Sequence, residues 1–307
     1  MNIIKKYLIA FLFGLAFPTA QYASASSLNV VTTTEDLAAI TREIGGDLIT
    51  VESITQGNQD AHYVEAKPSY MLIVNRADLL IYQGLDLEEN WLPLLIRGAR
   101  NPDVLPGKPG LLNVSSAITP IDVPVGEIDR SMGDIHPLGN PHYHLDPANG
   151  LLLANLISER LSLINPENAE RYQKNRDQFH QRLEEAIESW RARLKPYANR
   201  KVVTYHSTWD YFLRRFGLIS IATVETRPGV PPSARHLASL GETMLRENIQ
   251  LILQANYFDT HFSELLAQKA KGKVISLPTS VGGSPEATDY FRLFDTLVTR
   301  LENGFQN

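Results

Sequence analysis

Apolar positions along the chain fall into two kinds of run, and the two kinds alternate. Residues 28–32, 48–54 and 79–82 are short leucine-rich or β-branched stretches that predict strands. Between and after them, 35–44, 68–75 and 88–97 predict helices. The turn chemistry agrees, with Thr34 placed as an N-cap and Gly45-Gly46 as a stop. The alternation returns late in the chain. Strands are predicted at 202–205, 219–224, 251–254 and 274–277, and helices at 209–216, 233–247, 262–271 and 286–303. Such βαβα order predicts an α/β fold of two lobes, each a parallel-type sheet flanked by helices.

Between these halves the pattern changes. Residues 101–147 lose periodicity and fill with proline and glycine, which predicts loop with one short strand near 110–114. Helix resumes at 149–163. A second, longer helix then has Asn165 as N-cap, Pro166 at its first position and Glu167 in its positive end. Tyr172, Phe179, Leu183, Ile187, Trp190 and Leu194 form one stripe on it, and Pro196 ends it. About thirty residues at 1.5 Å each make a strut about 45 Å long. The predicted organisation is a leader at 1–25, a lobe at 26–164, a linking helix at 165–196 and a lobe at 197–307.

The leader is predicted from order as well as content. Lys5 and Lys6 precede an apolar run from Tyr7 to Phe17, and Ala23-Ser24-Ala25 follows, the arrangement of a secretory signal peptide. The run is too short for a permanent membrane span. Cleavage after Ala25 would leave 282 residues and take the formal charge from −5 to −7, because two lysines and no acids leave. That balance argues against nucleic acid as a partner. The chain has no cysteine, so a metal site must use nitrogen and oxygen donors, and a free periplasmic protein is expected.

The eight histidines carry the chemistry. Ligands of open parallel sheets bind beyond the carboxyl ends of strands. His206 directly follows the predicted strand 202–205, and His62 lies in the loop after 48–54. His136, His142 and His144 crowd the stretch GDIHPLGNPHYHLDP. Their spacing leaves open which of them is a ligand. His180, His236 and His261 fall on or beside helices and read as packing or surface groups. Three histidines from separate loops could converge between the lobes. Imidazoles without cysteine favour zinc over oxygen-seeking cations such as manganese.

Four segments, in order, resemble the metal-binding solute-binding proteins of zinc and manganese ABC importers: DAHYVEAKPSYMLIVNRADLLIYQGLDLEENWL, NPHYHLDP, VVTYHSTWDYFLRRFGL and VPPSARHLASL. The resemblance spans nearly all of the chain after the leader. It implies His62, His142 and His206 as ligands, with His144 where a tryptophan often stands. It also implies two lobes on a rigid helix with modest motion, and no enzymatic turnover. The partners it implies are the transported metal and a membrane ABC permease, with a periplasmic metal chaperone as a further partner and the monomer as the working form.

The sequence departs from the family pattern where an acidic fourth ligand is usual. That place holds Thr279 or Ser280, so Asp289 is the leading choice, with Glu286 close by and Glu225, Asp60, His136 or water as alternatives. Asp60, Glu65 and Asp146 are expected to orient the rings, and 123–140 to form a short lid. Histidine must be neutral to ligate, so affinity is expected to fall below about pH 6. Two other readings remain, a manganese- or iron-binding member of the family and a secreted zinc hydrolase. Against the hydrolase, the chain has no HExxH motif.

Overall fold

The computed structural model describes residues 27–126 and 136–306. The expected leader lies outside them, as do Glu127, Asp129 and Asp134 of the expected lid. Two four-stranded sheets form the frame. In the first, β1 (Leu28–Thr32), β2 (Ile49–Ser53), β3 (Leu79–Tyr82) and β4 (Leu111–Asn113) lie in the order β2-β1-β3-β4. In the second, β5 (Lys201–Thr204), β6 (Ile219–Thr223), β7 (Leu251–Ala255) and β8 (Lys273–Leu277) lie in the order β6-β5-β7-β8. Every pairing is parallel. Parallel strands require crossovers. These are α1 (Glu35–Gly45), α2 (Pro68–Asn75) and α3 (Leu92–Ala99) in the first half, then α6 (Asp210–Arg215), α7 (Ala234–Arg246) and α8 (His261–Ala270) in the second.

Three longer helices join the halves: α4 (Pro147–Ile164), α5 (Ala169–Leu194) and α9 (Tyr290–Gln306). The predicted stripe on α5 is buried at all six positions. One continuous cluster of buried apolar side chains runs from Val30 and Ile81 through Leu153, Phe179 and Phe294 to Val202 and Leu253. The sheets therefore share a core, and separating them would expose closely packed apolar surface. The outer faces carry smaller clusters, under α2 and α3 around Trp91 and under α7 and α8 around Met244.

Three boundaries differ from expectation, each for a local reason. The linking helix opens with a 3₁₀ turn at Pro166–Asn168, because the Asn165 N–H closes α4 on the Leu161 carbonyl. The helix expected from residue 88 starts at Leu92. Buried Glu88 instead accepts the N–H groups of Gln83 and Gly84 at 2.7 and 2.9 Å and the Thr33 hydroxyl at 2.6 Å. The helix expected from 286 starts at Tyr290, after Asp289 accepts the Arg292 N–H at 2.9 Å. Among the described residues, no helix is long and apolar enough to cross a membrane.

Candidate metal centre

His206 stands two residues past the end of β5, in extended backbone. Glu225 stands two residues past β6, the neighbouring parallel strand, and its N–H bonds the Tyr205 carbonyl at 3.1 Å. Sheet pairing thus sets the two side by side. A Glu225 carboxylate oxygen accepts from His206 Nδ1, with both side chains buried. That bond leaves Nε2 as the free donor atom of His206.

His62 is held by its own loop. Asp60 Oδ1 accepts the His62 backbone N–H at 3.0 Å and its ring Nδ1 at 2.6 Å. The Trp91 indole N–H ties the loop down through the Ala61 carbonyl at 2.9 Å. Burial pushes the Asp60 carboxyl up, but the hydrogen bonds it accepts from His62 outweigh it and hold the group below its ordinary value.

His142 arrives on a stapled loop. Asn140 Oδ1 accepts the His142 N–H at 3.0 Å, while its own amide bonds the Ser207 carbonyl at 2.8 Å. Tyr211 donates to the Asn140 carbonyl at 3.0 Å. Burial and the surrounding histidines push the His142 imidazole well below its usual range, so the ring is neutral.

Donor atoms of His62, His142 and His206 all lie within 4.8 Å of one another. The Nε2 atoms of His142 and His206 are 3.2 Å apart. His136 adds a second close pair, its Nε2 lying 3.0 Å from that of His62. Burial, then His62 and His206, push the His136 ring down to about 3. Asp60 and Glu225 occupy the Nδ1 atoms of His62 and His206, so both Nε2 atoms present lone pairs. Nitrogens facing one another in this way repel unless a proton or a metal cation lies between them.

The other named residues have different partners. His144 is buried, receiving the Gln83 amide on Nδ1 at 2.9 Å and donating from Nε2 to the Thr279 carbonyl at 3.0 Å. Both its ring nitrogens are thus engaged. Asp60 and Glu225 back the rings, with Asp60 Oδ1 and one Glu225 oxygen on the Nδ1 atoms of His62 and His206. Asp289 is not brought to the histidines. It caps α9 and borders a hollow shared with Arg42, Glu43 and Arg171. Glu286 pairs with Arg300 at 3.0 Å. Of the expected ring-orienting acids only Asp60 does so. Asp146 caps α4 and forms a two-bond pair with Arg215, and exposed Glu65 lies 3.9 Å from Lys67. His180 and His236 bond backbone carbonyls of Leu151 and Thr223. The contacts of Gln83 and Asp36 with this region escaped sequence reasoning, because nothing in local pattern marks a side chain whose partners lie far along the chain.

The family model described as the periplasmic zinc-uptake complex component A matches residues 30–304. The manganese ABC transporter substrate-binding lipoprotein PsaA of Streptococcus pneumoniae is 27% identical over 252 residues, covering 78% of this chain and 77% of that protein. The zinc-binding lipoprotein AdcA of Streptococcus pneumoniae (strain R6) is 25% identical over 80% of this chain. The chain spans about half the length of AdcA, 48% of it. A ZnuA 138–173 deletion mutant with zinc bound has the same fold, with a TM-score of 0.75 and 25% identity, covering 91% of this chain and 98% of that one.

Proposed function

The chain belongs to the periplasmic zinc-uptake component A family, and from that premise we propose that it captures a zinc ion between its lobes and delivers it to a membrane ABC permease. The observation that carries this reading is the meeting of three histidine donors within 4.8 Å, with both adjacent carboxylates turned to the outer ring nitrogens. Neutral imidazoles backed by carboxylates are good zinc donors, and the backing fixes the ring orientation. Manganese prefers oxygen, and here Asp60 and Glu225 already serve the rings. His62, His142 and His206 bind the metal, and His136, 3.0 Å from His62, supplies the fourth nitrogen. A carrier needs a site that closes on the ion, whereas catalysis needs a free coordination position.

The protein works in the periplasm as a monomer after removal of residues 1–25, and a periplasmic chaperone is a further partner. PsaA and AdcA are named as lipoproteins, but this sequence contains no cysteine to carry a thioether-linked lipid. The test is metal content and competitive affinity of residues 26–307 beside His142→Ala. One tightly held zinc, lost or much weakened in the variant, supports the reading. Preference for manganese overturns the choice of metal, absence of bound metal overturns the function, and metal-dependent hydrolysis of model esters would replace a carrier with an enzyme.

A further inference from the structure

The turn 279–283, just past β8, is gripped from the first half of the molecule at three points. Asp36, the second residue of α1 and 1% exposed, accepts the Val281 N–H at 3.0 Å and the Ser280 hydroxyl at 2.5 Å. Its place in the first turn of a helix suits a buried carboxylate. His144 donates to the Thr279 carbonyl at 3.0 Å. It is itself held by Gln83 on the other ring nitrogen, and its carbonyl accepts the Tyr290 hydroxyl at 3.1 Å. The third point is Gly57, in the loop that carries His62. A Cβ built on Gly57 would lie 1.9 Å from the Val281 carbonyl oxygen and 2.4 Å from the Gly283 nitrogen. The two backbones therefore touch directly, with no room for a side chain.

We infer that Asp36 and His144 are positioning residues that clamp this turn, and that the clamped turn, through Gly57, keeps the His62 loop closed over His142 and His206. The clamp slows escape of a bound metal without touching it. None of the three residues supplies a donor atom to the clustered histidines. The inference rests on the carrier reading of the site.

The chemistry separates this role from general bracing. Removing Asp36 leaves the Val281 N–H and Ser280 hydroxyl without their buried acceptor, so the turn relaxes toward water. Replacing Gly57 by alanine leaves the clamp's hydrogen bonds intact but pushes the His62 loop off the turn. Both changes act on the same contact from opposite sides.

The experiment uses residues 26–307 loaded with zinc, and compares wild type with Asp36→Ala, Asp36→Asn, Gly57→Ala and a remote core variant, Leu161→Ala. Release is followed by capture with an excess of chelator, and metal-free melting is measured for each. Asp36→Ala and Gly57→Ala are expected to release zinc about tenfold faster or more, the scale set by other groups that orient ligands. Their cobalt-substituted spectra should match wild type, since the donors are unchanged. Asp36→Asn, which keeps one acceptor, should recover part of the retention. Leu161→Ala should melt lower yet release at the wild-type rate. Faster release in both clamp variants with unchanged spectra supports the clamp. Lower melting with wild-type release overturns it and leaves the carrier reading standing. A wild-type chain that holds no zinc overturns the carrier reading and the clamp with it.

Discussion

The two sheets share one strand order but serve the site differently. β1 and β5 hold equivalent places, as do the edge strands β2 and β6. Beyond β5 stands His206 and beyond β6 stands Glu225, so the second sheet delivers a proposed ligand and its backing carboxylate on neighbouring strand ends. Beyond β1 stand Thr33 and Thr34, and Thr34 caps α1. The first sheet's proposed ligand, His62, comes nine residues after β2 and brings Asp60 on the same loop. A duplicated frame therefore carries an unduplicated site. One half holds its ligand by sheet pairing, and the other by hydrogen bonds within a loop. The His206 side of the site is rigid by construction, and the His62 side is adjustable.

Removing ligands should test that contrast with the largest effect. Structural zinc sites with four ligands are worth about 10 to 16 kcal/mol, so losing one donor should cost about 3 kcal/mol or a hundredfold in affinity. His206→Ala should cost at least as much as His62→Ala, because the His62 loop without its imidazole can still shift or let water in. Competitive zinc titration checks the order. A His62→Ala variant that binds far worse than His206→Ala would reverse the assignment of rigid and adjustable halves.

Removing the carboxylates behind the rings should do less. Glu225→Gln and Asp60→Asn are each expected to weaken zinc about 10- to 100-fold. The Glu225 change should be the larger, because Glu225 and His206 are more fully enclosed (5% and 8% exposed) than Asp60 and His62 (18% and 12%). Equal losses would show that enclosure does not separate the two halves.

Acid should act on the metal-free protein through the rings. His136 is pushed down to about 3 from an ordinary 6.5, and His142 is also held well below that value. Below about pH 6.5 the unfolded chain takes up protons on these rings that the folded chain refuses. Stability present above pH 6.5 is therefore lost as pH falls toward 3, by at most about 1.4 kcal/mol per pH unit for each ring. Melting temperature against pH should show this slope, and His136→Gln should flatten it. An unchanged slope in that variant would remove His136 from the account. These two rings also resist protonation near pH 6, so they do not impose the loss of affinity that free imidazole would.

The smallest effect concerns the seam between the halves. Burial, then the neighbouring Asp122 carboxylate, push Asp210 up to about 7, against the pull of Arg214. A carboxyl whose folded value is raised contributes stability at low pH that is lost as pH rises toward 7. Asp210→Asn should therefore raise the melting temperature at pH 8 and change it little at pH 4. A loss of stability at pH 8 would mean that the charged form is preferred at the seam.

Much of this was legible in the chain. Strand and helix positions followed from periodicity, and the α5 stripe from Tyr172 to Leu194 packs as its spacing predicts. His62, His142 and His206 were reachable because each lies in a loop that either follows a strand or carries a resemblance to a known family. What stayed hidden depends on through-space partners. Glu88 reads as a helical residue, yet it closes a loop by accepting two backbone N–H groups and a hydroxyl. Asp289 has the right residue type near the right place, but an acid three positions before a free helical N–H caps the helix. Asp60 and Glu225 stood among the alternatives for a fourth ligand, because sequence shows a carboxylate and not which ring nitrogen it faces. His144 looked as able to ligate as His142 until both its nitrogens were accounted for.

The central claim is that imidazoles of His62, His142 and His206 surround one zinc. X-ray absorption at the zinc edge, on residues 26–307 carrying one equivalent of metal, tests it most directly. The account predicts a four-coordinate zinc with at least three imidazole nitrogens at about 2.0 to 2.1 Å. A first shell made mainly of oxygen, or fewer than three imidazoles, would contradict it.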